Sequence, residues 1–262
     1  MKGKLLFLLS LLFFSCYKVP ITGRKQLNML PENTLMDMSL TNYKSFLEEN
    51  KVVPTSTSNT QMVQRVGAKI ADAVDRYMNA NGHSKRIKNF KWEFNLVEDK
   101  VVNAWCMPGG KVVVYTGLLP VSQSEEGLAV VMGHEIAHAI ARHGNERMSQ
   151  QLLVQAGGIG LAVSLSEKPK LTQDLFLLSY GATSALGVLG YSRKHESEAD
   201  KMGLVFMAMA GYNPEKAVSF WQRMADAGGA KPPELVSTHP SNERRISDIQ
   251  EFLPVAMTYY KK

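Results

Sequence analysis

Residues 122 to 144 read Ser-Gln-Ser-Glu-Glu-Gly-Leu-Ala-Val-Val-Met-Gly-His134-Glu135-Ile136-Ala137-His138-Ala-Ile-Ala-Arg-His-Gly, and this stretch decides how the rest of the chain is read. Leu128, Val130, Val131, Ile136, Ala137 and Ile140 make it apolar nearly all round, the pattern of a helix buried on every side. Ser122-Gln-Ser-Glu125 resembles a capping box at its start, and Gly144 is the expected stop after about His143. Two histidines and a glutamate in so apolar a helix need a partner, because burying them unpaired is costly. His134 and His138 are four residues apart, which puts both imidazoles on one helical face, aimed at one point. H-E-x-x-H is the spacing by which two histidines hold zinc, with the glutamate beside them free to take a proton from water.

Upstream the period changes. Phe90, Trp92, Phe94 and Leu96 alternate with Lys91, Glu93 and Asn95, a half-buried strand. Val101–Met107 and Lys111–Thr116 are two more strands, and Pro108-Gly109-Gly110 between them reads as a hairpin turn. Before these, Asn33 to Lys51 and Gln61 to Asn81 are helical, the second with Val63, Val66, Ile70 and Val74 at helical spacing. After Pro120 the chain reads as helical almost to its end. Leu152–Ser164 and Leu175–Gly190 are apolar but interrupted by Ser, Thr and Gly, and read as buried helices rather than membrane spans. Gly211-Tyr-Asn-Pro214 stops one helix and starts another, with Ala217, Phe220, Trp221 and Met224 on one face. Pro232-Pro233 marks a loop, and Pro240 opens a last helix to about Phe252. The expected fold class is α+β: a small antiparallel sheet in the N-terminal half against a largely helical body.

The 262 residues, 45% hydrophobic and 21% charged, exclude a disordered or fibrous chain. Two cysteines exclude a disulfide framework. Of the net charge of +6, Lys2 and Lys4 fall in a segment expected to be removed; 28 remaining basic residues against 24 acids leave a scattered +4, so no nucleic-acid partner is expected. That segment has a short positive start, an apolar run from Leu5 to Phe14, and Phe13-Phe14-Ser15-Cys16, which resembles a bacterial lipobox with Phe in place of the usual Leu. Residues 1–15 are expected as a lipoprotein signal peptide, 16–31 as a lipidated tether and 32–262 as the catalytic domain. Lipid on Cys16 would anchor the chain durably. Tyr17, where an Asp would suggest inner-membrane retention, points to an outer-membrane lipoprotein facing the periplasm of a Gram-negative bacterium.

A catalytic zinc takes a third protein ligand. Three acids cluster in Tyr191-Ser-Arg-Lys-His-Glu196-Ser-Glu198-Ala-Asp200, and spacing alone does not choose between Glu196 and Glu198. With Ser192-Arg193-x-x-Glu196-x-x-x-Asp200-x-x-Gly203 following H-E-x-x-H, the chain resembles the gluzincin zinc metalloendopeptidases: the CAAX prenyl proteases, a stress-linked inner-membrane protease and the periplasmic β-barrel assembly-enhancing protease, in particular the family's short single-domain periplasmic lipoproteins. Asn103-Ala104, Pro108-Gly109-Gly110, Gly211-Tyr-Asn-Pro214 and His239-Pro240 resemble family landmarks in the same order, across roughly residues 60–252. The resemblance implies one zinc ion per chain on His134, His138 and Glu196, with Glu135 as general base. It places Asp200 behind a ligand histidine, and Glu198 pointing elsewhere. It makes Asn103 and Ala104 a substrate-binding edge strand, Arg245 a stabiliser of the developing oxyanion, and His239 a residue able to close the open zinc position. With no repeat array after residue 262, the tetratricopeptide-bearing members are not the expected match.

His143, five residues past His138, falls on another face and reads as structural, as does His195; Cys106 reads as a buried small hydrophobe. The expected activity is zinc-dependent endoproteolysis of unfolded or misassembled envelope proteins, with association with outer-membrane assembly machinery as a further expected partner. The rivals are a non-proteolytic binder of outer-membrane clients using the same groove, and a zinc hydrolase of cell-wall peptides.

Overall fold

The computed structural model describes residues 16–155, 169–180, 192–226, 235, 239 and 243–261. The expected signal segment 1–15, the loop at Pro232-Pro233, Pro240 and most of the two apolar stretches 152–164 and 175–190 lie outside the described residues. Their described ends belong to helices at His143–Gln155 and Pro169–Tyr180.

The centre of the molecule is the helix expected from its sequence, α5 (Glu125–Ala141), buried at every position from Gly127 to Ala141. It is numbered after α1 (Glu32–Glu49), α2 (Ser58–Ala80), the short α3 (Ser84–Ile87) and α4 (Leu119–Ser122). Both ends differ from expectation. Ser124, not Ser122, is the cap, its hydroxyl accepting from Gly127 N at 3.2 Å; Ser122 is used within α4, where it donates to Leu119 O. The helix stops because Arg142 turns left-handed at φ 61°, and Gly144 lies inside the next helix, α6 (His143–Gln155). Glycine is needed there for space: a Cβ would lie 2.0 Å from the Tyr180 ring of α7 (Pro169–Tyr180).

α2 lays one face on α5, with Val63, Val66, Ile70, Val74 and Met78 fully buried. α8 (Arg193–Met209) makes the most extensive contact with α5. At their crossing Gly133 faces Gly203: a Cβ on Gly203 would stand 2.9 Å from His134 N, and one on Gly133 would stand 3.0 Å from Gly203 O. α9 (Lys216–Asp226) covers α5 with Ala217, Phe220, Trp221 and Met224, and α10 (Glu243–Met257) packs on α8. α10 continues past Phe252 to Met257, with Pro254 inside it.

Beside this body lies a three-stranded sheet of β3 (Glu93–Val97), β4 (Ala104–Met107) and β5 (Lys111–Tyr115) in the order β3-β5-β4. The β4–β5 hairpin is as expected, turning through Gly109 and Gly110 at φ 85° and 84°. The sheet is mixed rather than antiparallel: β5 inserts between β4 and β3 and runs parallel to β3, pairing Phe94 with Val112. β3 also begins later than Phe90, because Lys91 N and Glu93 N bond the carbonyls of Gly109 and Gly110 at the turn. Both faces are covered. Leu96, Ala104, Cys106, Val112 and Val114 face the α2–α5 body, while Val97, Trp105, Met107, Val113 and Tyr115 face α1, α6 and α7.

Residues 16–31, expected as a tether, fold onto the domain. β1 (Cys16–Lys18) and β2 (Lys25–Leu27) form a hairpin, with Val19 and Gln26 buried. Gln26 donates to Ala141 O at 2.7 Å and Arg86 to Ile140 O at 2.6 Å, satisfying last-turn carbonyls of α5 that the helix leaves open. Among the described residues no helix is long and apolar enough to cross a membrane.

The Gly133–Gly203 contact yields a prediction. Gly203→Ala forces α5 and α8 apart and destabilises the protein by about 1–3 kcal/mol, the usual range for overpacking. Urea unfolding measures it; Gly211→Ala, whose Cβ meets open space, is no control because its φ of 87° strains any side chain, so Ala210→Gly serves instead.

Candidate active site

α5 and α8 each place two functional side chains one turn apart on facing sides. His134 and His138 come from α5, Glu196 and Asp200 from α8, and all four are buried. His134 Nε2 lies 3.1 Å from His138 Nε2 and 3.3 Å from Glu196 Oε2, and His138 Nε2 lies 3.4 Å from Glu196 Oε1. Zinc bound to N and O at about 2.0–2.1 Å in a tetrahedron needs donor separations of about 3.3–3.4 Å, and the two imidazoles and the Glu196 carboxylate, which turns Oε2 to His134 and Oε1 to His138, approach one another at close to that spacing. His239 stands beside them, its Nδ1 2.9 Å from Glu196 Oε1 and 3.2 Å from His134 Nε2. The four ligand atoms lie within 4.8 Å of one another. Glu135 Oε1 and Glu196 Oε2 are buried without a hydrogen-bond donor among the described residues. Two imidazole nitrogens and a carboxylate converging with acceptor atoms unsatisfied is a donor set complete only with a cation between them. Glu196, and not Glu198, is thus the acid that joins the histidines.

Asp200 accepts from His134 Nδ1 at 2.8 Å, which leaves the Nε2 lone pair turned to the centre. Arg245 grips that same carboxylate through Nε at 2.8 Å and Nη2 at 2.7 Å, donates from Nη1 to His239 O at 3.1 Å, and stacks 3.4 Å over Trp221. All three of its nitrogens are so engaged, and Arg245 is a clamp on the acid that orients His134. Burial would lower the His134 pKa, but Asp200 overcomes it and holds the ring up at about 9. Burial pushes the Glu135 carboxyl up, against the opposing pull of His239 and His134. The Glu196 carboxyl is held well below its ordinary range: burial opposes this, and His239, His134 and His138 prevail.

β4 pairs only with β5 among the described strands, so Ala104 begins an edge strand that packs on α5. Asn103 precedes it, its carbonyl accepting from Tyr115 N and its side chain folded back onto Ala104 N. Cys106 is buried, and desolvation raises its thiol pKa well above normal, so it stays a protonated, apolar-like group. Cys16 is the first residue of β1.

Two residues set aside from the sequence belong to the site. His143 Nδ1 lies 2.9 Å from His138 Nδ1, and His143 Nε2 lies 3.0 Å from Glu198 Oε2. The left-handed Arg142 swings His143 back beneath His138, and no spacing rule for a continuous helix could have found it. Burial takes His143 down to about 4, and Glu198 is held at about 2 by His143, Arg24 and Thr22 against the burial that would raise it.

A helix bearing H-E-x-x-H, a glutamate from a second helix and a general base beside their common point define a zinc metallopeptidase. Residues 58–253 match the model of peptidase family M48. The chain belongs to peptidase family M48. It is 36% identical over 242 residues to the mitochondrial metalloendopeptidase OMA1 of Schizosaccharomyces pombe, covering 91% of this chain and 66% of the relative. Against the mitochondrial metalloendopeptidase OMA1 of Homo sapiens it is 31% identical over 249 residues, 91% of this chain and 46% of the relative. The β-barrel assembly-enhancing protease of Escherichia coli is 28% identical over 184 residues, 66% of this chain and 37% of that protein. The chain therefore spans two thirds or less of the length of each of these three.

One pH dependence follows from the charge pairs beside the site. The Glu146 carboxyl, raised by burial but held by hydrogen bonds from Arg24 and His195, sits at about 2. Its folded value lies below its unfolded value of about 4.3, so its contribution is complete above that pH and is lost as pH falls toward 2. Urea unfolding across pH 6 to 2.5 should show stability falling with acid, and Glu146→Gln should flatten that fall.

Proposed function

We propose that this chain is a zinc-dependent endopeptidase of the bacterial envelope. In this reading it is anchored in the outer membrane by lipid at Cys16, faces the periplasm, and degrades unfolded or misassembled envelope proteins. The observation that carries the enzymatic part is the convergence of His134, His138 and Glu196 with the buried Glu135 carboxyl beside them. A purely structural zinc needs no such base. Zinc, when bound, supplies a Lewis acid that makes a water acidic enough to be deprotonated near neutral pH and polarises the scissile carbonyl. Glu135 takes that water's proton and returns it to the leaving amine. Asp200 and Arg245 hold His134 in the tautomer that ligates. β4 from Ala104, with Asn103 at its head, has no second strand partner among the described residues, which suits an extended peptide added as a further strand and selects unfolded segments over folded ones.

The envelope location rests on the apolar run ending in Ser15-Cys16. Support from relatives is divided: the name of the Escherichia coli protein ties it to β-barrel assembly, while the OMA1 names place those proteins in mitochondria. Association with outer-membrane assembly machinery is proposed on the first of these alone. His239 beside these ligands supports a resting state in which this imidazole holds the position water would take, and activation requires its withdrawal.

Full-length protein, Glu135→Gln and His239→Ala, each zinc-loaded, should be compared on unfolded casein. Glu135→Gln should lose about 100-fold or more in rate with zinc retained, the usual range for a general base, and His239→Ala should cleave faster than wild type. If wild type and His239→Ala are both inert on every unfolded protein tried, the non-proteolytic binder is the better reading. Separately, Cys16→Ser should move the protein from the outer-membrane fraction to the soluble periplasmic fraction; an unchanged membrane fraction would remove the lipid anchor.

A further inference from the structure

Arg24 lies in the turn of the β1–β2 hairpin, more than a hundred residues from every zinc ligand in sequence, yet it is joined to the centre by an unbroken chain of polar contacts. Its Nε donates to Glu198 Oε2 at 2.8 Å, and its Nη1 and Nη2 fork onto Glu146 at 2.8 and 2.6 Å. Thr22 donates to the other oxygen of Glu198. Glu198 accepts from His143 Nε2 at 3.0 Å, and His143 Nδ1 meets His138 Nδ1 at 2.9 Å. The direction of each bond is fixed by chemistry. An ionised carboxylate only accepts, so His143 donates from Nε2 and, in its neutral form, offers a lone pair at Nδ1. His138 must then donate from Nδ1, which leaves its Nε2 lone pair directed at His134 and Glu196. His134 has the same arrangement through Asp200 and Arg245. Each histidine is thus aimed by a carboxylate that an arginine holds, with one extra imidazole interposed on the His138 side.

The hairpin turn that presents Thr22 and Arg24 is itself strained. Ile21 has φ 67°, a left-handed conformation that a β-branched residue rarely adopts, and Gly23 follows at φ 67°. Strain of this kind persists where surrounding contacts over-determine it and marks positions worth a functional reading. Val19 N to Arg24 O at 2.8 Å and Gly23 N to Val19 O at 2.9 Å close the turn.

We propose that the Thr22–Arg24 turn is a working part of the metal centre: it locks Glu198, which through His143 fixes the tautomer and aim of His138 and so sets the affinity of the site for zinc. Arg24, Glu198 and His143 are positioning residues; none of them touches substrate. This holds whatever the client protein, the location or the role of His239.

The test is zinc affinity of the folded full-length chain, by competition with a chromophoric chelator, together with the visible spectrum of the cobalt-substituted protein. Removing such a supporting partner usually weakens metal binding about 10–100-fold. His143→Phe and Glu198→Ala should each do so and shift the cobalt bands, and Arg24→Gln should move both in the same direction. Glu198→Gln restores an acceptor oxygen for His143 and should bind zinc more tightly than Glu198→Ala. The double variant His143→Phe/Glu198→Ala should be no worse than the weaker single, because both act through one path. Arg65→Gln, which breaks an exposed pair with Glu125 away from this chain of contacts, should leave affinity and spectrum unchanged. Zinc affinities within twofold of wild type in folded His143→Phe and Glu198→Ala, or Glu198→Gln no better than Glu198→Ala, would overturn the proposal. If His143→Phe does not fold, Glu198→Gln against Glu198→Ala decides it.

Discussion

The close approach of α5 and α8 at Gly133 and Gly203 is the constraint from which the site follows. Helices pack at 8–10 Å depending on the side chains between them, and here there are none at the crossing. Only at that separation can Asp200, three residues before Gly203, reach Nδ1 of His134, the residue after Gly133. The same contact carries Glu196, one turn earlier on α8, to the Nε2 atoms of His134 and His138. The ligand set is therefore built on two rigid helices rather than on loops. That rigidity is what keeps the two imidazoles and the carboxylate close to tetrahedral spacing before any metal arrives.

Placing that many charges in an apolar core is costly, and the structure offsets part of the cost by pairing the acids that flank the histidines. Asp200 is shared by His134 and Arg245, with Trp221 beneath the guanidinium; Glu198 is shared by His143, Arg24 and Thr22. The consequence is an asymmetry in the residues that matter. Removing any one partner leaves a buried charge uncompensated, which is far more destabilising than losing a surface pair. The buried carboxylate oxygens that stay without a hydrogen-bond partner among the described residues are on Glu135 and Glu196, the two acids proposed to do the chemistry.

The sheet and the N-terminal hairpin serve the same centre from outside. The sheet is covered on both faces, so its alternating side chains bind the α2–α5 body to α1, α6 and α7, while β4 pairs with β5 alone among the described strands. The hairpin closes the C-terminal carbonyls of α5 through Gln26 and reaches Glu198 through Arg24. A segment adjacent to the proposed lipid anchor is thereby joined by polar contacts to His138.

By itself the sequence determined the local elements and the metal motif. Helical periodicity marked α2 and α9, a run apolar all round marked α5, alternation marked β3, Pro-Gly-Gly marked the β4–β5 hairpin, and His134-Glu135-x-x-His138 marked the metal motif, because each of these is written within a few turns of chain. Resemblance was needed to prefer Glu196 over Glu198, since spacing treats them alike. What only the tertiary structure decided is what depends on distant segments meeting: the parallel pairing of β3 with β5, the packing of residues 16–31 onto the domain, the use of Arg245 as a clamp on Asp200, and the recruitment of His143. This last turned on one left-handed residue, Arg142, which breaks α5 and resets the direction of everything after it. Periodicity assumes a continuous helix and cannot foresee such a break, because the contacts that stabilise it, from Gln26 to Ala141 O and from Arg86 to Ile140 O, come from elsewhere in the fold.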